Sequence, residues 1–259
     1  MTIDGRQIAD EIYARLSARL ARRSAVLGIV CSEPNTVIES FVRIKSRAAE
    51  RLGVALTRID VPRGEGTPGV VAAIERLVPE THGIIAQLPM PDTVDVEAVL
   101  AAIPGTHDVD GIGPSARVMP PVARAVEEIL SRTSVALAGK SAVVIGAGRL
   151  VGAPVAKMLR DSGADVCVLQ KGDSLDVLKN ADIIVSGAGE PGLIRPAMIR
   201  EGVVLIDAGT SEQGGKVRGD ADPACAEKCS VFTPVPGGVG PVAVAEIFEN
   251  LAELAASRA

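Results

Sequence analysis

The chain has 259 residues, 47% of them hydrophobic, which is enough to bury one large core or two modest ones. Its net charge of −5 argues against a general nucleic-acid or acidic-membrane partner, although local lysines and arginines can still bind small anionic ligands. One tyrosine, three phenylalanines and no tryptophan argue against a base-stacking surface. The sequence shows no apolar run of membrane-spanning length and no signal-peptide pattern after Met1, so we predict a cytoplasmic protein.

The four cysteines do not predict a disulfide framework in a chain of this length. Cys225 and Cys229 are spaced i, i+4 on a candidate helix, and this spacing suits a metal ion. However, the chain has two histidines, and neither is near these cysteines in the sequence. We therefore predict that the protein holds no metal.

Helices alternate with strands in the first half of the chain. Apolar periodicity predicts helices over residues 8–20, 37–52, 67–77 and 94–103, and apolar runs predict strands over 25–31, 55–61 and 83–88. This alternation is typical of a mainly parallel sheet covered by helices on both faces. Prolines and glycines cluster over 113–121, before a helix predicted at 122–130, and we place the bridge between two domains there.

The second half restarts the same alternation. Strands are predicted at 141–145, 165–169, 183–185, 203–206 and 231–232, with a helix over 151–161 between the first two. No solenoid repeat and no low-complexity tract is visible. The predicted fold class is therefore α/β, in two domains with parallel sheets.

A glycine-rich turn joins the first of these later strands to its helix. Gly146 and Gly148 permit a tight turn, Gly152 permits close packing of helix on strand, and the helix N-terminus offers N–H groups to a phosphate. The G-x-G-x-x-x-G spacing is one residue longer than the usual dinucleotide fingerprint, but it occupies the strand, turn and helix context that a nucleotide site requires. A glycine-rich turn without a nucleotide is the alternative.

The end of the next strand carries no acidic residue that would hold a ribose diol. Lys171, together with Arg149, instead offers positive charge to a 2′-phosphate and favours NADP over NAD; two solvated cations are the alternative. Small residues over 187–189 and 207–210 follow two later strands and leave room for a cofactor, although ordinary loop chemistry also explains them.

The run from Thr233 to Pro241 contains three prolines and three glycines between a short strand and a helix predicted from about Val242. Proline fixes φ, and glycine permits close approach of backbone or ligand. This composition predicts a rigid loop that holds a ligand. A tight connection without a ligand is the alternative.

A lysine in the first domain is a candidate for proton transfer. Phe41 and Lys45 lie i, i+4 on one face of a predicted helix. A partly buried lysine can have a lowered pKa and move protons when other polar groups converge on it, and Gln87 and Asp110 are such groups. Taken singly, the alternatives are a solvated lysine, a strand-end hydrogen bonder and an Asx-turn residue.

These segments, in this order, resemble the bifunctional methylenetetrahydrofolate dehydrogenase/cyclohydrolase family. The resemblance covers nearly the whole chain and rests on residues 3–5, the helix ending in Lys45, and residues 83–89, 108–111, 143–146 with 151–154, 219–220 and 233–241. It implies an N-terminal α/β folate-binding domain, residues 1–118 completed by a C-terminal helix over about 242–259. It also implies a Rossmann-type NAD(P)-binding domain with a parallel sheet over residues 119–241, and a homodimer.

The resemblance carries roles to individual residues. It implies that Lys45 is the catalytic lysine, Gln87 its hydrogen-bond partner and Asp110 a contact of the folate pterin. The implied folate-binding residues are Phe41, Val42, Arg43, Ile44, Lys45, Ala86, Gln87, Leu88, Asp110, Pro236, Gly237, Gly238, Val239, Gly240 and Pro241. The implied cofactor is NADP, with NAD as the alternative. Its implied contacts are Gly146, Ala147, Gly148 and Thr210. We add Arg149 and Lys171 because their positive charges suit a 2′-phosphate.

The implied activity has two steps. Hydride passes from the methylene carbon of 5,10-methylenetetrahydrofolate to NADP, and the methenyl product is hydrolysed to 10-formyltetrahydrofolate with proton transfers that suit a lysine of near-neutral pKa. The chain departs from the family pattern in a shortened loop after Gly111 and at Phe41 for tyrosine, His107 for lysine, Gly148 for serine and Ala243 for threonine. Two alternatives are a dehydrogenase without cyclohydrolase activity and a non-catalytic folate- or nucleotide-binding paralogue.

Overall fold

The computed structural model describes residues 1–21, 24–213 and 216–257. They form two compact units. We name the three-stranded unit, Asp10–Pro121 with Val244–Ala259, and the five-stranded unit, Met1–Ala9 with Val122–Ala243. The predicted two-domain α/β class with parallel sheets is confirmed. The first nine residues group with the second unit, whereas the predicted division had placed them in the first domain.

The three-stranded unit contains a fully parallel sheet. Its strands are β1 (Val26–Ser32), β2 (Ala55–Val61) and β3 (Gly83–Ala86), in the order β2-β1-β3. The helices along this part of the chain are α1 (Gly5–Ala21), α2 (Thr36–Leu52), α3 (Gly66–Leu77) and α4 (Val96–Ala102). Strand β3 is buried along its whole length, as expected for an apolar strand in a covered parallel sheet.

Helix α2, which carries the predicted lysine, has defined ends. The Asn35 side chain accepts hydrogen bonds from the backbone N–H groups of Val37 and Ile38, at 3.0 and 3.1 Å. The helix stops before Gly53, whose φ of 66° lies in the left-handed region that favours glycine. These caps fix where the helix begins and ends.

Helix α5 (Pro121–Arg132) precedes a second parallel sheet in the five-stranded unit. The strands that follow are β4 (Ser141–Ile145), β5 (Asp165–Leu169), β6 (Ile183–Ser186), β7 (Val204–Asp207), an antiparallel pair β8 (Ser211–Gln213) and β9 (Lys216–Arg218), and β10 (Val231–Phe232). The sheet order is β10-β7-β6-β4-β5, helix α6 (Gly152–Asp161) joins β4 to β5, and α7 (Val239–Ala256) is the last helix.

This strand order defines a ligand-binding edge. From β4 the chain moves to β5 on one side and then to β6 and β7 on the other, so the topological switch point lies between β4 and β6. In open parallel sheets, ligands bind outside the carboxyl ends of the strands at such a point. The glycine-rich turn after β4 and the loop after β6 therefore flank the expected site.

Besides shifts of one to three residues at the ends of most elements, three details differ from the sequence prediction. The last helix begins at Val239, so Val239–Pro241 form its first turn instead of a loop, a place where proline is tolerated. The candidate helix for the cysteine pair is a short 3-10 helix, Pro223–Glu227, that ends before Cys229. The antiparallel pair β8 and β9 was not predicted, because its short polar strands lack an apolar pattern.

Within the described residues, no helix is long and apolar enough to cross a bilayer.

Candidate functional site

The side chain of Lys45 on α2 meets that of Gln87 just after β3. Lys45 Nζ donates a hydrogen bond to Gln87 Oε1 at 2.7 Å, and Gln87 Nε2 donates to the carbonyl of Leu88 at 2.6 Å. The second bond fixes the orientation of the amide, so its oxygen faces the lysine. Gln87 is buried and Lys45 is half-buried. The structure thus brings together two residues that lie 42 positions apart in the sequence.

Lys45 and Asp110 interact electrostatically. Burial lowers the pKa of the Lys45 amine, and the negative charge of Asp110 opposes this shift in part. Burial raises the pKa of the Asp110 carboxyl to about 6, while the Lys45 charge opposes that shift. A larger fraction of Lys45 is therefore neutral at neutral pH than for an exposed lysine, as a group that takes up and returns protons requires.

The loop that carries Asp110 is held by buried polar side chains. Asp108 accepts hydrogen bonds from the backbone N–H groups of Gly111 and Gly113, at 2.9 and 2.7 Å. Asn250 on α7 is fully buried and donates from Nδ2 to the carbonyls of residues 109 and 119, at 2.8 Å each. Asn250 was missed from the sequence, where the only signal is an amide inside a strongly apolar helix.

The predicted folate contacts on α2 and β3 divide by exposure. Phe41 and Ile44 are 43% and 46% exposed, and Arg43 is exposed as well. Val42 and Ala86 are buried, so their side chains pack in the interior and do not line a solvent-accessible surface. The exposed ring of Phe41 lies one helical turn before Lys45, which gives a substrate an apolar surface beside the amine.

His107, which stands where the family has a lysine, is also buried. Its Nε2 lies 3.0 Å from the carbonyl of Val78, and its Nδ1 lies 3.1 Å from the hydroxyl of Thr106. The ring therefore links the start of the D-V-D-G segment to the residues after α3. This histidine has a packing role in the three-stranded unit.

In the five-stranded unit, the glycine-rich turn after β4 packs too tightly for side chains at some of its positions. Gly146 has a φ of 93°, and a Cβ on Gly152 would lie 1.8 Å from the carbonyl oxygen of Gly146, so no side chain fits at residue 152. Val151 precedes α6 and makes no side-chain cap, and in the first turn the N–H of Ala153 donates to the carbonyl of Gly148 at 3.0 Å. A turn of this kind fits the pyrophosphate of a dinucleotide.

The other predicted cofactor contacts lie around the same sheet edge. Ala147, Gly148 and Arg149 are exposed in the turn after β4, and Lys171 is exposed just after the neighbouring strand β5. Thr210 is exposed after β7. Because β4 and β5 are adjacent and parallel, Arg149 and Lys171 stand at neighbouring strand ends, where a 2′-phosphate could meet both charges.

Two buried carboxylates also lie at this edge. Asp207 ends β7 and is 1% exposed, and Asp220 is fully buried. Burial, together with the nearby charge of Asp220, raises the pKa of Asp207 to about 6. Both residues lie in segments singled out from the sequence, but a role for their carboxylates was missed, because it depends on contacts between distant segments.

The proline and glycine run is tied to the rest of its unit. The buried Thr233 hydroxyl accepts from the N–H of Asp207 at 2.7 Å and donates to its carbonyl at 3.2 Å. Gly5 donates to the carbonyl of Gly237 at 2.8 Å, and a Cβ on Gly5 would lie 1.8 Å from the carbonyl oxygen of Gly238. Pro236 and Gly240 remain exposed. The run is thus a fixed backbone segment with exposed corners.

The cysteine pair has ordinary surroundings. Cys225 and Cys229 are buried free thiols, and burial raises their pKa values to about 11 and about 12. The Cys225 thiol donates to the carbonyl of Ile194. Across the described part of the chain, no group of three or more potential metal ligands is present.

Comparison with family models gives two adjoining matches. Residues 3–110 match the model described as "Tetrahydrofolate dehydrogenase/cyclohydrolase, catalytic domain". Residues 120–259 match the model described as "Tetrahydrofolate dehydrogenase/cyclohydrolase, NAD(P)-binding domain". The two matches together span nearly the whole chain.

Relatives and solved structures agree with these matches. The chain is 34% identical to the bifunctional protein FolD of Methanospirillum hungatei, over 100% of this chain and 98% of that protein. It is 35% identical to the bifunctional protein FolD of Heliobacterium modesticaldum, over 96% and 94%. The crystal structure of the Campylobacter jejuni enzyme FolD has a TM-score of 0.96 and 31% identity, over 100% of this chain and 99% of that one. Trypanosoma brucei FolD, solved with NADP and an inhibitor, has a TM-score of 0.93 and 30% identity, over 100% and 98%.

Proposed function

Since the chain belongs to the tetrahydrofolate dehydrogenase/cyclohydrolase family, we propose that it catalyses both reactions of that family. It oxidises 5,10-methylenetetrahydrofolate to 5,10-methenyltetrahydrofolate with NADP and hydrolyses the product to 10-formyltetrahydrofolate. The observation that carries the proposal is the hydrogen bond from the half-buried Lys45 amine to Gln87, beside the Asp110 carboxyl. Lys45, Gln87 and Asp110 together support the hydrolytic step, because an enzyme that only transfers hydride would not require such a proton-transfer group.

The hydrolytic step needs a group that accepts and returns a proton. Water adds to the cationic methenyl carbon and one carbon–nitrogen bond opens. Both water protons leave the oxygen as the formyl carbonyl forms: the first goes to the departing nitrogen and the second to solvent. The neutral amine of Lys45 takes up the first proton and returns it to that nitrogen. Gln87 Oε1 orients the amine, and Asp110 stabilises the ammonium form while it exists.

The remaining folate contacts are surface groups around this amine. We assign Phe41, Arg43, Ile44 and Leu88 as the contacts from the three-stranded unit. Residues 236–241 stay predicted folate contacts, because they match the family pattern. The exposed Phe41 ring supplies an apolar face for an aromatic part of the substrate.

The five-stranded unit would bind the cofactor of the oxidation step. When bound, NADP supplies the hydride acceptor. The turn of Gly146, Ala147 and Gly148 before α6 would hold its pyrophosphate. Arg149 and Lys171 would hold the 2′-phosphate, which is the reason that NADP is proposed over NAD, and Thr210 would supply a further contact.

One assay tests both steps. Purified protein with methylenetetrahydrofolate and NADP should form methenyl product and NADPH, and added methenyltetrahydrofolate should hydrolyse faster than in buffer. Lys45→Met should abolish hydrolysis while sparing hydride transfer, whereas Lys157→Met, on the exposed side of α6, should change neither. Hydrolysis at the buffer rate by the unmodified chain would favour a dehydrogenase alone, and cofactor binding without turnover would favour a non-catalytic paralogue.

We also propose the domain limits of the sequence prediction, residues 1–118 with 242–259 and residues 119–241, as functional limits. A homodimer and a cytoplasmic location complete the proposal. Buried free thiols at Cys31, Cys225 and Cys229 suit a reducing compartment. Sedimentation of the purified chain tests the dimer, since a single species of one-chain mass would rule it out.

A further inference from the structure

Asp220 is the most heavily hydrogen-bonded carboxylate at the edge of the five-stranded sheet. Its Oδ2 accepts from the Ser186 hydroxyl at 2.6 Å and from the N–H groups of Ala188 and Gly189 at 2.8 and 3.3 Å. Its Oδ1 accepts from the N–H of Glu190 at 2.7 Å. One fully buried side chain therefore holds three consecutive backbone amides and the last residue of β6.

The segment that Asp220 holds lies against the glycine-rich turn. A Cβ on Gly146 would lie 2.9 Å from the carbonyl oxygen of Gly187, and a Cβ on Gly187 would lie 2.5 Å from a methyl carbon of Val151. The loop after β6 and the turn after β4 thus pack closely across the switch point of the sheet. A displacement of residues 187–190 would displace the turn that faces the cofactor.

Asp207 forms the second half of the same arrangement. Its Oδ1 accepts from the N–H of Gly209 at 3.0 Å, and its Oδ2 accepts from the N–H of Ala221 at 2.8 Å. A Cβ on Gly209 would lie 2.1 Å from Asp220 Oδ2, and one on Gly219 would lie 2.2 Å from Asp207 Oδ2. The two carboxylates occupy space that only glycine leaves open, so the loops after β6 and β7 are built around them.

We propose that Asp220 is a positioning residue for dinucleotide binding, a role that rests on the proposed NADP-dependent function. Its carboxylate sets the backbone of residues 188–190, and through their packing it sets the turn at Gly146. A carboxylate suits this task because all four of its partners donate hydrogen bonds, so each oxygen is an acceptor. The side chain does not itself touch the cofactor in this proposal.

Asp220→Asn in the full chain tests the proposal with almost no change in shape. Whichever way the amide turns, its NH₂ group faces at least one N–H or O–H donor, so at least one contact becomes repulsive. We expect the dissociation constant for NADPH, measured by calorimetry, and the KM for NADP to rise at least about tenfold. In cofactor-free protein, amide hydrogen exchange at residues 188–190 should become faster.

The same preparation contains its own folding control. Lys45, Gln87 and Asp110 all lie in the three-stranded unit, so the kcat and KM for methenyl hydrolysis should stay as in the unmodified chain. Asp222→Asn is the matched surface control, because Asp222 accepts a single exposed hydrogen bond, from the N–H of Ala224 at 2.9 Å. It should leave NADPH affinity and exchange at 188–190 unchanged.

The outcomes separate the two proposals. If the unmodified chain binds NADPH and Asp220→Asn binds it equally well, the positioning role is wrong, whatever the exchange rates show. If the unmodified chain neither binds nor turns over NADP, the proposed function itself fails. If Asp220→Asn does not fold, Ser186→Ala decides: loss of its single donated hydrogen bond should raise the dissociation constant about three- to tenfold, and an unchanged value would overturn the proposal.

Discussion

Replacing Gln87 should move the pH dependence of methenyl hydrolysis in a direction set by the new side chain. In the structure, Gln87 Oε1 accepts the hydrogen bond from Lys45 Nζ at 2.7 Å. Burial lowers the pKa of Lys45, and the negative charge of Asp110 opposes that effect. The hydrogen bond to Gln87 opposes it too, because it stabilises the charged amine. Gln87→Leu removes an acceptor that stabilises the ammonium form, so the pKa of Lys45 should fall further. Gln87→Glu puts a carboxylate in its place, so the pKa should rise.

The size of the effect follows from the geometry. A hydrogen bond to a charged group contributes about 1.5–3 kcal/mol, and one pH unit corresponds to about 1.4 kcal/mol at 25 °C. The acid limb of the hydrolysis profile should therefore move down by about one to two pH units in Gln87→Leu. An opposite charge in direct contact should move it up by about one to three pH units in Gln87→Glu.

The assay is the rate of methenyltetrahydrofolate hydrolysis as a function of pH, corrected for the buffer rate at each pH. Glu97→Gln, at an exposed site on α4, serves as the surface control and should leave the profile in place. Opposite displacements in the two Gln87 variants would support a titrating Lys45 held by this amide. Displacements of the same sign, or none in either variant, would refute the reasoning even if both variants were slower.

Three further changes test other parts of the structure. Asn250→Leu leaves the buried carbonyl of residue 109 and the part-buried carbonyl of residue 119 without their donor, and should lower the free energy of unfolding by at least about 1–3 kcal/mol in urea titrations; a loss under about 1 kcal/mol would show that water replaces the amide. Burial raises the pKa of Asp207 to about 6, so the folded chain binds more protons than the unfolded chain between about pH 4 and 6, and stability falls as the pH rises through that window. Asp207→Asn should remove about 3 kcal/mol of this fall, measured as the difference between urea titrations from pH 4 to 8, and parallel curves would contradict it. Gly152→Ala places a Cβ against a backbone oxygen and should cost about 1–3 kcal/mol, whereas Gly148→Ala meets open space and should cost under about 0.5 kcal/mol; equal losses would contradict the packing argument.

The elements that could be predicted are those whose residues carry the signal locally. Strands β2, β4, β5 and β10 have their predicted bounds, since each is an apolar or alternating run with a glycine, proline or polar residue within two positions of either end. Helix α2 begins one residue before its predicted start because Asn35 caps it. The antiparallel pair β8 and β9 has no such signal: each strand is three residues long and mostly polar, and only pairing defines it.

Some residues of the candidate site could be predicted from the sequence and others could not. Gln87 and the Gly146 turn could be singled out because each sits at the end of an apolar strand, and Lys45 because it shares a helix face with Phe41. The contacts of Asn250 and Asp220 could not, because their partners lie 131 to 141 and 30 to 34 positions away. A buried polar side chain must find a partner, but the sequence alone does not say which one.

Two residues that depart from the family pattern, Phe41 and His107, lie in different surroundings. The histidine at residue 107 is buried against Val78 and Thr106, so it maintains packing within the three-stranded unit. Phe41 keeps an exposed ring one turn before Lys45 and lacks only the hydroxyl of a tyrosine. Neither change interrupts the hydrogen bond between Lys45 and Gln87. The groups that move protons in the proposed hydrolysis are thus kept while the surface around them differs, and such a pattern alters substrate affinity before it alters the chemical step.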